Sequence, residues 1–295
     1  YPRDTTPELS KRLDQLKVFC NAFSPVPSTI NALRVLSTKS PASEHDKYSP
    51  ESVLAYARAA GYKIYWISNQ DDVYLSSLFG SYTDKAIYKN RRSGRSSSSL
   101  DENLFHDYQQ ALADPEPKKL IILHLIGAHP NYQERYPAVF NRFTSASNDA
   151  VETDLKNRDI DPWIRSLRND YDNAVLYEDS LLARFLDELQ ADHVPDFRSF
   201  MVVSDHGNEV GHEIDYAGHS PNTKAGYQVP VIMWYDHISS TGVDKTRTLN
   251  TAELDNNLMH IMGLKEKSAS KRTYWLDDNY QFSPEENWPY WKHKS

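Results

Sequence analysis

The chain is poor in cysteine, in glycine and in long apolar runs. Its single cysteine, Cys20, excludes an intrachain disulfide framework and a thiolate zinc cage. Ten glycines in 295 residues accompany the absence of a Walker A loop and of the dinucleotide-binding G-x-G-x-x-G pattern. No G-x-S-x-G nucleophile elbow occurs, which removes that route to a serine nucleophile. No apolar stretch approaches the ~20 residues needed to span a bilayer as a helix; the longest, residues 120–126, is interrupted by His124. Neither a signal peptide nor an initiator Met opens YPRDTTPELS, so the expectation is a processed or trimmed piece of a longer protein. An excess of positive charge is also missing: 33 Lys and Arg face 41 Asp and Glu, a net charge of −8. Phosphate backbones reward clustered Lys and Arg, so nucleic acid is excluded as a general partner.

What is present is an alternation of apolar runs and helical patterns. Residues 17–23 (KVFCNAF), 62–68 (YKIYWIS), 118–126, 197–204 (FRSFMVVS) and 229–235 read as strands, the third as the best buried. Residues 29–36, 50–60, 101–112 and 161–190 read as helices, with Pro50 opening the second and Gly61 following it. Residues 90–99 (NRRSGRSSSS) and 141–158 read as loops, and the aromatic residues from 274 onward as packing across the surface. Strands alternating with helices predict a mostly parallel sheet covered on both faces, with ligands at the carboxyl ends of its strands.

Chemistry concentrates at those ends. VVSDHG at 202–207 ends a strand in adjacent Asp205 and His206, a carboxylate–imidazole set that suits Zn²⁺ or Mn²⁺. In isolation the same residues also read as a capped turn and a loop histidine. His212, Glu213 and His219 follow in one loop, but their spacing is not HExxH. His124 and His129 close the 118–126 run; taken alone, His124 reads as a satisfied strand histidine and His129 as a surface one. SPVPST at 24–29 is a stiff turn into a helix, where Ser28 or Thr29 serves either as an N-cap or as a hydroxyl beside an anion-binding helix start.

Together with YPRDTTPEL at 1, AGYKIYWISNQ at 60, KKLIILHLIGAH at 118, ERYP at 134, NDYDNAVLYED at 169 and QVPVIMW at 228, these segments resemble a known family in order and spacing. It is the periplasmic catalytic domain of bacterial phosphoethanolamine transferases, within the alkaline phosphatase/sulfatase superfamily. The resemblance runs through almost the whole chain and is nearer the lipopolysaccharide-core branch than the lipid A branch. It implies an α/β three-layer sandwich, with a large, mostly parallel central sheet flanked by helices, and one soluble catalytic domain over residues 1–295. By position, Thr29 matches the family's nucleophile, and Thr29, Asp205 and His206 match ligands of its catalytic zinc. His129 and His219 match histidines that contact the transferred group, and Asn69 matches a polar substrate contact. Val73 stands where lipid A enzymes carry a Lys, a departure that bears on the acceptor.

The resemblance further implies a fourth metal ligand, a Glu on a first sheet strand upstream of residue 1, and N-terminal helices anchoring the protein at the periplasmic face of the inner membrane. The donor would be phosphatidylethanolamine and the acceptor lipopolysaccharide, at core heptose or lipid A. Two alternatives stand beside this reading. One is a phosphodiesterase or sulfatase on the same scaffold, although the C/S-x-P/A-x-R pattern of sulfatases is not found around Cys20 or Ser28. The other is a non-catalytic envelope module that binds lipid.

Overall fold

The computed structural model describes residues 2–40, 51–70, 76–77, 80–90, 97–192, 197–265, 274–285 and 288. Its strands are, in chain order, β1 (Lys17–Phe23), β2 (Lys63–Ser68), β3 (Lys85–Tyr88), β4 (Lys119–His124), β5 (Ser199–Val203), β6 (Glu209–Val210), β7 (Ala217–Gly218), β8 (Gln228–Tyr235) and β9 (Gly242–Asn250). Three belong to a sheet of order β3-β2-β4, parallel throughout. Four belong to a second sheet of order β5-β8-β1-β9, and β6 and β7 form a small ribbon.

Alternation along the central strands explains the layers. In β2, Tyr65 and Ile67 point to one face and Ile64 and Trp66 to the other, as the two-residue period of a strand requires. The first face meets the long helix Pro162–Ala191 through Tyr177, Leu181 and Phe185, together with the helix Phe105–Leu112. The second face meets the helices Val53–Ala59 and Leu254–Ile261. The long helix also reaches the other sheet, where Ala183 and Leu186 pack on Ile232 and Trp234 of β8. That helix begins where the sequence predicts: Asp161 accepts from the Trp163 N–H and Pro162 occupies the first turn.

Several expectations are corrected. β8 runs antiparallel to both β1 and β5. The chain leaves β5 and re-enters β8 at the same end of the sheet, by way of the β6–β7 ribbon, without a covering crossover helix. β4 stops at His124 and every one of its residues is partly exposed. It ends its sheet, hydrogen-bonded among the described residues only to β2. β5 ends the other sheet, with Ser199 exposed and its other residues partly exposed. The helix at 50–60 starts later, at Val53, because the Ser52 side chain caps it by accepting from the Ala55 N–H; Pro50 lies outside the described residues. Residues 101–112 start as a 3₁₀ turn, Asp101–Leu104, before the α-helix.

Within 141–158, read as a loop, the helix Ala150–Asn157 forms under an Asp149 cap and buries Val151 and Leu155. The strand β9 and the helix Leu254–Ile261 had no counterpart among the sequence-predicted elements. Trp275 and Trp288 are fully buried, as packing rather than exposure predicts. Residues 91–96 of the serine-rich stretch, and Tyr290 and Trp291, lie outside the described residues. No helix among the described residues is long and apolar enough to cross a membrane.

Candidate active site

The loops after β1 and β5 bring Thr29, Asp205 and His206 together. β1 is followed by Ser24, whose N–H donates to Tyr227 O at 2.8 Å. The turn that follows carries Pro25 and Pro27, which fix φ and remove two donors, and it delivers Thr29 as the first residue of the helix Thr29–Ser37. Ser28 occupies the N-cap in extended backbone, but its side chain makes no capping bond. The Ser24 hydroxyl lies between the carbonyl oxygens of Val26 (2.9 Å) and Asp205, and its one proton ties the two loops together.

His206 is buried and oriented from below. Its Nδ1 lies 2.9 Å from Gly207 O. A carbonyl only accepts, so Nδ1 carries a proton, and in the neutral ring Nε2 then presents a lone pair. That lone pair faces Thr29 Oγ1 at 3.2 Å, with Asp205 Oδ2 3.5 Å from the same nitrogen. Asp205 Oδ1 accepts the His206 N–H at 3.0 Å. Gly207 is required by close approach: a Cβ there would collide with the carbonyl oxygens of Ala225 and Gln228.

Two further histidines line the cluster. The His219 ring stands 4.1 Å from the His206 ring and 5.6 Å from that of His129, edge to face with the latter. His129 Nδ1 lies 3.2 Å from Pro130 O. Five of the six sequence-predicted site residues thus form a chain of contacts: Asp205, Thr29, His206, His219 and His129.

Asn69 is not shown in that chain. It is fully buried, donating to Asp101 Oδ1 at 2.8 Å and accepting from the Ser99 hydroxyl at 2.7 Å. His124 meets the Ser68 hydroxyl at 2.9 Å and packs on Trp66. Nor does His212 join the histidines. Its ring turns to Tyr171, and burial together with Arg168 and Arg158 pushes its pKa down to about 3. Glu213 accepts the Ala225 N–H at 2.8 Å. Val73 lies outside the described residues.

Two residues that the sequence reading missed shape the floor. Asp101 accepts the N–H groups of Ile126 (2.9 Å) and Gly127 (2.8 Å) and so sets the turn that presents His129; burial raises its pKa. Glu178, on the long helix, accepts from the Ala128 N–H, and its carboxylate lies where a Gly127 Cβ would come within 3.2 Å. Burial, and then the charges of Asp101 and Asp205, push the Glu178 pKa up to about 8. Neither residue belongs to a recognisable motif.

The donors at the cluster are two oxygens and one imidazole nitrogen, a set that fits Zn²⁺ or Mn²⁺. Among the described residues no three His, Cys, Asp or Glu side chains gather as a cage, so Thr29 Oγ1 is needed even for a three-donor set.

Comparisons with known proteins identify the family and the fold. The chain is 32% identical over 282 residues to the phosphoethanolamine transferase EptC of Escherichia coli (strain K12), covering 90% of this chain and 48% of that protein. It is equally 32% identical over 282 residues to the phosphoethanolamine transferase CptA of Salmonella typhimurium, with the same coverage of 90% and 48%. The chain therefore spans about half the length of the curated relatives it matches. The crystal structure of the C-terminal periplasmic domain of E. coli EptC in complex with Zn superposes with a TM-score of 0.80 at 28% identity, over 96% of this chain and 82% of that one. The corresponding domain from Campylobacter jejuni gives 0.72 at 24% identity, over 96% and 89%. The fold is that of the alkaline phosphatase/sulfatase group, α/β with a central sheet between helices. The sulfatase family model matches residues 1–264, and on that extent of match the chain belongs to the sulfatase family.

Proposed function

We propose that the chain is the catalytic portion of a zinc-dependent phosphoethanolamine transferase acting at the periplasmic face of the inner membrane. It would move phosphoethanolamine from phosphatidylethanolamine to lipopolysaccharide, at core heptose or lipid A. The observation that carries this reading is the 3.2 Å contact between Thr29 Oγ1 and His206 Nε2, the ring nitrogen left over once Nδ1 is engaged by Gly207 O. The names of the EptC and CptA relatives support the transferred group, and the Zn in the E. coli EptC domain supports the metal.

Thr29, Asp205 and His206 would hold the ion. When bound, Zn²⁺ lowers the pKa of a coordinated hydroxyl and stabilises the alkoxide at neutral pH. Thr29 Oγ1 attacks the donor phosphorus; the bond from phosphorus to the glycerol oxygen breaks and diacylglycerol leaves. Phosphoethanolamine is then esterified to Thr29. A hydroxyl or phosphate oxygen of the acceptor attacks the same phosphorus, and the bond to Thr29 Oγ1 breaks. His129 and His219 donate hydrogen bonds to the phosphoryl oxygens, and one of them protonates the departing oxygen. Asn69, by its bonds to Asp101 and Ser99, acts on substrate through the shape of the pocket floor.

The test is Thr29→Ala in the membrane-anchored protein, read by mass spectrometry of lipopolysaccharide and of the protein. Transfer and the covalent adduct both disappear on this reading. Retention of full transfer sinks it, and release of free phosphoethanolamine without a modified acceptor favours a hydrolase.

A further inference from the structure

The C-terminal segment lies beyond residue 264, where the family match stops, and it folds back to the strand that carries the nucleophile's turn. Arg247 donates to the carbonyl oxygens of Trp275 and Asp277, and Asn250 Nδ2 to Ser283 O (3.0 Å) and Glu285 Oε1 (2.8 Å). These bonds bring Trp288 onto the far side of β1. Its indole is fully buried against Phe23, Tyr227 and Phe282, and its Nε1–H donates to Pro25 O at 3.2 Å.

That acceptor matters because of what surrounds it. Phe23 and Tyr227 flank the Ser24 N–H···O=C Tyr227 bond. After that bond the turn contains two prolines and loses the backbone donors that would tether it. Among the described residues its attachments are the Ser24 hydroxyl on the Asp205 side, the packing of Val26 with Ala32, Leu36 and Leu254, and the Trp288 indole, which holds the Pro25 carbonyl by a hydrogen bond. Pro25 is four residues before Thr29, with Pro27 stiffening the interval.

We propose that Trp288 is a positioning residue for the nucleophile: the C-terminal segment clamps the Pro25 carbonyl and so holds Thr29 Oγ1 against His206. The inference rests on Thr29 being the nucleophile. Trp275 supplies a matched control. It is also fully buried and also makes one Nε1–H bond, to Glu253 Oε2 at 3.3 Å, but it packs on Phe19, Val229 and Leu249 away from the turn.

The experiment compares Trp288→Phe, Trp288→Ala and Trp275→Phe in the intact, zinc-loaded protein. It reads kcat and KM for transfer from phosphatidylethanolamine vesicles, thermal unfolding, and amide hydrogen exchange. The two Phe variants should lose similar thermal stability. Only the Trp288 variants should lower kcat, about tenfold for Phe and about a hundredfold for Ala, because a misplacement of about 1 Å costs that much. KM should stay within about twofold, and exchange should quicken at Ser24 and Ala32, whose N–H groups are hydrogen-bonded to Tyr227 O and Ser28 O on either side of the turn. An unchanged kcat in Trp288→Phe and Trp288→Ala, or an equal fall in Trp275→Phe, overturns the proposal. If Trp288→Ala does not fold, Trp288→Phe decides. If the wild-type protein transfers nothing, the functional reading fails, and unchanged exchange at Ser24 and Ala32 in the Trp288 variants then overturns the clamp separately.

Discussion

The loops that follow β1 and β5 and those that follow β2 and β4 face one another with their polar groups in opposite states. On the first side Thr29 meets His206 through one contact of 3.2 Å, and the Asp205 side chain is 25% exposed. On the second side Asn69 is wholly buried and Asp101 nearly so, with the Asn69 amide and both Asp101 oxygens bonded inside the protein. A group whose bonding capacity is met internally holds a shape, whereas a group with capacity left over can take a ligand. At Thr29 and Asp205 capacity is left for a ligand, whereas at Asn69 and Asp101 it is spent on shape, and the loop after β4 that Asp101 holds also presents His129 to His219. Glu178 lies between them, within the field of both Asp101 and Asp205.

This contrast can be broken by substitution. The largest effect is expected from Asp205→Asn, which keeps the shape but removes the charge that would hold a metal. Transfer should fall about a thousandfold or more, equivalent to about 4 kcal/mol, while the unfolding midpoint of the metal-free protein stays nearly unchanged. A large fall in that midpoint would make Asp205 a structural residue. Next comes Asp101→Ala, which strands two buried N–H groups and the Asn69 amide. About 3 kcal/mol of stability should be lost in urea unfolding; a loss below 1 kcal/mol would mean that the floor is not held there.

The smallest expected effect concerns pH. Folding raises the Glu178 pKa from 4.5 to about 8. Between those values the folded protein binds more protons than the unfolded chain, so this group's contribution to stability is complete below pH 4.5 and declines as pH rises towards 8. In metal-free protein, Glu178→Gln should flatten that decline between pH 5 and pH 8. Identical pH profiles for wild type and variant would remove Glu178 from the account.

Much of the frame is legible in the chain. The runs at 17–23, 62–68 and 229–235 become β1, β2 and β8 because β-branched and aromatic residues alternate there and both faces are covered. β9 escaped notice because Gly242–Asn250 is polar along most of its length. Among the described residues it pairs only with β1, and the end strand of a sheet does not need an apolar run. The helix Ala150–Asn157 has two buried apolar residues, too few to show a period. In the opposite direction, the apolarity of KLIILH predicted full burial that β4 does not have, since a run of letters does not say whether both sides of a strand are paired. At the site, Asp205, His206 and His129 lie just after predicted strands, His219 in the loop beyond and Thr29 at a helix start, but it is the family resemblance that singled them out. Asp101 and Glu178 did not, because a carboxylate at a helix start or in mid-helix resembles any solvated acid until its surroundings are known.

By itself, the sequence determined the donor types, their places after strands, and the turn that delivers Thr29 at a helix start. The tertiary structure alone decided that Asn69 is bonded into the floor, that His212 turns away from the other histidines, and that Trp288 closes behind Pro25. The reason is physical. Composition sets how many hydrogen bonds and charges a residue offers, but packing sets which of them are met by the protein and which remain open to a ligand.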